Sequence, residues 1–95
     1  MEFKETLDTM VVTSSYVTSD RMPILYVSYE IDEEEGGIWQ FHCGNDDYSE
    51  DKIQLVSLNT IIGIDQSVKS VADLKNGYGA RRKSVQDPWI RFQEN

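Results

Sequence analysis

Two runs of alternating residues joined by an acidic turn constrain the fold more than any other part of this chain. In the segment Pro23 to Asp32, Leu25, Val27, Tyr29 and Ile31 fall on one side while Tyr26, Ser28 and Glu30 fall on the other. That period of two is the signature of a strand with one face turned to a core. A second run follows, in which Trp39, Phe41 and Cys43 alternate with Ile38, Gln40 and His42. Between them, Asp32-Glu33-Glu34-Glu35 cannot extend a sheet because like charges repel, and Gly36-Gly37 favours a tight turn. The pattern predicts an antiparallel hairpin whose inward side chains, Trp39, Phe41, Leu25 and Val27, form the structural core.

The other elements are shorter. Met10 to Thr18 is rich in β-branched and hydroxyl residues and predicts a first strand. Ser19-Asp20 makes a turn, and Pro23 opens the next element. Lys52 to Leu58 predicts a further strand. Ile61, Ile64, Val68, Val71, Ala72 and Lys75 recur at helical spacing, with Asp65 placed to cap a helix from Gln66 to Lys75 and Asn76-Gly77 to end it. Tyr78 to Lys83 is a basic strand or loop, Asp87-Pro88 a turn, and Trp89 to Phe92 a closing strand. Residues 1–9 carry only Phe3 and Leu7 as apolar anchors, a frayed lead-in or a short helix. The expected architecture is an α+β domain spanning residues 1–95, with a mainly antiparallel sheet of about five strands and one main helix packed on it.

Charge narrows the partners. Seventeen acidic residues against nine basic ones give a formal charge of -8, which disfavours nucleic acid and anionic membranes, since phosphate binding needs clustered Lys and Arg. The same balance suits a basic protein partner, or serves solubility alone. Cys43 is the single cysteine, so no internal disulfide forms, and its inward parity predicts a buried thiol. No segment approaches the roughly 20 apolar residues that cross a bilayer, and the start of the chain has no basic region followed by an apolar run. A cytoplasmic location is expected.

The candidate site lies just past the tryptophan strand. Gly44 ends the strand, and five of the next seven residues (Asn45, Asp46, Asp47, Glu50, Asp51) are acidic or amide, with Tyr48 the aromatic among them. A rigid strand running into such a loop would hold a charged surface steady, so Asp46, Asp47, Tyr48, Glu50 and Asp51 are the candidate partner-binding residues. The spacing does not suit a metal, because an EF-hand needs ligands at alternate positions and a central glycine. No metal or cofactor is expected. His42 and Cys43 leave opposite faces of a strand and make a poor dyad, no serine sits in a nucleophile elbow, and the glycines form no phosphate cradle. No catalytic residue and no enzymatic role are expected. Arg81, Arg82 and Lys83 form the basic cluster, a small one that is expected to pair with the protein's own carboxylates; it is also the competing candidate for a functional surface. Tyr78 and Trp89 offer an aromatic anchor, with core packing preferred for Trp89.

Taken together, the Trp39-Gln40-Phe41 strand, Gly44 with its acidic loop and Tyr48, the Leu58-Asn59-Thr60-Ile61 run, Asp65 with Leu74 beyond it, and Gly79 followed by Arg81 or Arg82 form an ordered pattern over roughly Val11 to Phe92. In this order and spacing the chain resembles a small bacterial family, first catalogued as a domain of unknown function and later grouped with predicted immunity proteins of polymorphic toxin systems. The resemblance implies a cytoplasmic protein that shields its own cell by binding a cognate protein toxin. The chain departs from that pattern where Asn76-Gly77 replaces a proline and where the basic triplet is stronger. A small regulatory or accessory module binding a metabolite or an enzyme subunit is the alternative, and would need a concave pocket near Tyr26, Tyr29 or Trp89.

Overall fold

The structure is a computed structural model that describes residues 2–34 and 36–94. Met1, Asn95 and the Glu35 of the expected turn lie outside the described residues. The hairpin is present: β2 (Tyr26–Glu30) and β3 (Ile38–His42) pair antiparallel, with Val27 opposite Phe41 and Tyr29 opposite Trp39. This register lines up the aromatic rings of one face. Tyr29 stacks on Trp39 with centroids 4.3 Å apart, and Trp39 lies nearly parallel to Phe41 at 6.0 Å. Phe3 closes over the row, edge-on to Trp39 at 4.9 Å, so residue 3 is docked on the core although residues 2–9 form no helix.

The fold is α+β, but its sheet corrects the expectation of about five mainly antiparallel strands. Among the described residues six strands run in the order β4-β1-β3-β2-β5-β6, and the sheet is mixed. β1 (Met10–Ser14) lies between β4 (Ile53–Ser57) and β3, antiparallel to the first and parallel to the second. The chain can place β1 there because the one-turn helix α1 (Ser15–Thr18) and the loop after it carry it to the far side of β3 before β2 begins. The first strand is therefore shorter than Met10 to Thr18. β5 (Tyr78–Arg81) extends the sheet beyond β2, and β6 (Ile90–Gln93) forms its far edge. Alternation tells a strand which face to bury; it does not name the neighbouring strand.

The single main helix is also corrected, to two short pieces. α2 (Leu58–Ile64) is capped by Ser57, whose hydroxyl accepts from the Thr60 amide, and a 3-10 helix (Gln66–Val71) is capped by Asp65, which accepts from the Ser67 amide at 2.9 Å. Asp65 is the predicted cap, and it is also what interrupts the helical face: its backbone is extended, and an N-cap cannot lie inside a helix. The phase breaks there, which leaves Ile64 exposed while Leu58, Ile61, Val68 and Val71 are wholly buried.

These buried residues cover the sheet face that carries Val11, Val27, Trp39, Phe41 and Ala80. Each large apolar side chain so buried contributes about 1.5–3 kcal/mol. Of the four predicted core residues, Trp39, Phe41 and Val27 belong to this cluster, whereas Leu25 is half-buried and Ile24 takes the core position. β2 begins only at Tyr26, so strand parity does not reach back to Leu25. Beyond its other end, Ile31 is exposed. The opposite sheet face presents Val12, Tyr26, Gln40, Leu55 and Phe92 and, among the described residues, has no helix packed over it. No described helix is long and apolar enough to cross a membrane.

Candidate binding surface

The loop after β3 owes its shape to short-range hydrogen bonds from its own acidic and amide residues. Gly44 turns the chain with φ 82°, and Asp46 follows in the left-handed region at φ 64°, a conformation that short polar side chains tolerate better than most. Asn45 Oδ1 accepts from the Asp47 amide at 3.1 Å, and Asp47 Oδ1 accepts from both the amide and the hydroxyl of Ser49. The Ser49 carbonyl then accepts from the Lys52 amide at 2.9 Å, which leads the chain into β4.

The five candidate residues divide into two kinds. Asp47 is half-buried and its second carboxylate oxygen accepts from the Tyr16 hydroxyl at 2.5 Å, tying the loop to α1. The Ser49 hydroxyl, with the Tyr16 hydroxyl and the Ser49 amide, lowers the Asp47 carboxyl to about 2. Asp46, Glu50 and Asp51 are exposed and have no hydrogen bond or ion pair among the described residues. Tyr48 is 46 % exposed, and its ring meets the His42 ring edge-on at 4.8 Å. Three exposed carboxylates thus share the loop with one half-open phenol, while Asp47 ties the loop to Tyr16 and His42 meets the Tyr48 ring.

His42 is itself out of reach. It is 3 % exposed, its Nε2 lies 2.9 Å from Gln40 Oε1, and burial lowers its imidazole to about 4. Cys43 is 5 % exposed. The two therefore offer no accessible nucleophile and base. Among the described residues, no group of three or more His, Cys, Asp and Glu side chains converges as a metal site requires.

The basic triplet is split. Arg82 is buried and turned inward: Nη2 lies 2.6 Å from Asp65 Oδ2, Nε and Nη2 both donate to the Ile24 carbonyl, and Nη1 donates to Ser67 Oγ. Trp89 covers it, with the guanidinium 4.1 Å from the ring centre. Burial raises the Asp65 carboxyl, but its bonds from Ser67 and its contact with Arg82 outweigh burial and leave it below the usual range. Arg82 is thus a structural tie between the 3-10 helix and the edge of the sheet. Lys83 is exposed, and Arg81 lies on the uncovered sheet face, its guanidinium 4.7 Å from the Phe92 ring and 5.7 Å from the Tyr26 ring. None of the three forms an ion pair with the acidic loop.

Beside the loop, the same sheet face adds residues outside the five candidates, among them Tyr26, which the sequence tied only to the pocket of the accessory-module alternative. Tyr26 stands parallel to Phe92 at 6.1 Å and to His42 at 6.4 Å, so a rank of planar groups crosses the sheet and ends at Tyr48. Burial and then the Glu94 carboxylate, which accepts from its hydroxyl at 2.9 Å, raise the Tyr26 phenol. Parity put Tyr26, Ser28 and Glu30 together on one side of their strand; nothing local showed that this side stays uncovered. No family model matches the chain, and no curated protein or solved structure matches it either.

Proposed function

We propose that this chain is a non-enzymatic acidic binding protein, an immunity protein that neutralises a cognate bacterial toxin by occluding a basic surface on it in the cytoplasm of the cell it protects. The observation that carries this reading is the pairing of solvated charge with a braced aromatic. Asp46, Glu50 and Asp51 stand exposed in the same loop as Tyr48, and the hydrogen bonds of Asp47 fix the loop that presents them. A loop already ordered loses less entropy on binding. Opposite charge speeds the encounter, and burial of the phenol slows release. The buried positions of His42 and Cys43 support a role without chemistry. The resemblance to predicted immunity proteins is what directs the reading to a toxin.

The test begins with affinity capture from the native cell, followed by association kinetics on the captured protein. Asp46→Asn with Glu50→Gln lowers the association rate at low salt and flattens its salt dependence, leaving the fold intact. An unchanged association rate would falsify the assignment of the loop. A second reading, an accessory module binding a metabolite, draws on a cavity of about 290 Å³ beside Tyr26, in which Arg81 and Asp46 place opposite charges near Tyr48. Capture of a metabolic enzyme, or of no protein at all, would favour it.

A further inference from the structure

The two faces of the sheet carry similar ranks of planar side chains and meet different fates. On one, Tyr29, Trp39 and Phe41 are closed over by Phe3 and the helices. On the other, among the described residues, Tyr26 and Phe92 have no helix over them, His42 is buried with Tyr48 edge-on to it, and Leu55 and Ile90, from the two edge strands, are 65 % and 63 % exposed. Midway lies a basin of about 460 Å³ lined by Val12 and Ile53, by Tyr26 and Tyr48, and by Ser28, Gln40 and Glu30. Glu30 accepts from Gln40 with one carboxylate oxygen, and it also borders a smaller hollow of about 250 Å³ shared with Glu94 across Gly77.

We propose that this uncovered face is the docking surface for a basic amphipathic segment of a protein partner, with one Lys or Arg side chain seated in the basin and its cation at Glu30. The proposal rests on the reading of the chain as an acidic binding protein and carries the contact from the loop onto the sheet. Aliphatic and aromatic walls match the methylene stem of a long basic side chain, and the Glu30 carboxylate in the lining matches its charged end. Arg81 shows the same chemistry met from within, its guanidinium 4.7 Å from the Phe92 ring and 5.7 Å from the Tyr26 ring. An acidic segment would meet Glu30, Glu94 and the nearby Asp46, with Arg81 as the opposing cation. A second copy of the chain, itself at a charge of -8, would bring like charge against like.

The experiment is a titration of the isotope-labelled protein with an acetylated peptide of alternating Leu and Lys, read by the backbone amide resonances, with a Leu-Glu peptide as control. The basic peptide moves the amides of Val12, Ser28, Gln40 and Ile53, the acidic one moves none, and Glu30→Gln weakens binding by about fivefold or more with the spectrum otherwise unchanged. Shifts confined to residues 45–51 overturn the docking face while leaving the acidic loop as the contact. No shift anywhere at low salt overturns both. Full affinity in a folded Glu30→Gln protein overturns the placement of the cation.

Discussion

The hydroxyl of Tyr16, on the single helical turn after β1, donates to the carboxylate of Asp47 in the acidic loop at 2.5 Å. One hydrogen bond between residues 31 apart in the chain thereby decides which acidic residues are free to meet a partner. Asp47 serves the loop's shape, and Asp46, Glu50 and Asp51 serve its surface.

Tyr16→Phe removes this tie. The Asp47 carboxyl, lowered to about 2 from 3.8 by Ser49 and Tyr16, moves back toward its ordinary value, and amides 45–51 exchange faster. Because the folded value is depressed, the stabilisation is present above the unfolded value and lost as pH falls through about 2. A carboxyl-detected titration comparing the two proteins checks the shift; an identical Asp47 midpoint would show that Ser49 alone sets it.

Acid destabilises the fold through His42 at milder pH. Burial lowers its imidazole from 6.5 to about 4, so between these values the unfolded chain binds a proton that the folded chain does not, and stability falls as pH drops through that window. The loss is at most about 3 kcal/mol, reduced by whatever screening solvent provides at the rim of the face. Gln40, Tyr48 and Tyr26, which meet the ring, bring no charge to it at these pH values, and burial sets the sign. Urea unfolding midpoints at about pH 7, above the window, and at about pH 5.5 and 4.5, within it, follow the loss, and His42→Phe flattens the curve.

Arg82→Met leaves Asp65 without its cation and the Ile24 carbonyl without two donors. Breaking a buried pair from one side costs about 3–5 kcal/mol. Arg81→Met, a change on the uncovered face, costs about 1 kcal/mol or less. Chemical denaturation separates the two, and similar losses would show that Arg82 is not the structural member of the triplet.

Gly79 lies opposite Phe92 in the β5–β6 pair, and the ring lies over it. A Cβ at this position would meet the Phe92 ring at 2.8 Å and a Glu94 carboxylate oxygen at 2.6 Å. Gly79→Ala therefore costs about 1–3 kcal/mol by displacing the ring. Combined with Phe92→Ala the two changes cost less than their sum, a coupling that a double-mutant cycle measures; strict additivity would show that the ring is not what the new methyl strikes.

Much of the hairpin was legible in the chain. The parities of Val27, Trp39 and Phe41 are local properties of a pleated backbone, and the role of Asp65 as a cap follows from its own side chain and the amides just after it. The acidic loop was legible as a charged segment, but the difference between Asp47 and its neighbours was not, because the partner that distinguishes it, Tyr16, comes from another element. Arg82 likewise reads as one cation in a triplet until Asp65, Ile24 and Trp89 surround it.

By itself the order of residues determined the alternation of the strands, the turn at the paired glycines, the caps and the net negative charge, since each depends on a residue and its near neighbours. Tertiary structure alone decided that β1 enters between β3 and β4, that Arg82 is buried while Arg81 is not, and that one aromatic rank is covered while the other is left open. These outcomes depend on which distant segments meet, and a period of two or of three and a half is the same whatever lies across from it.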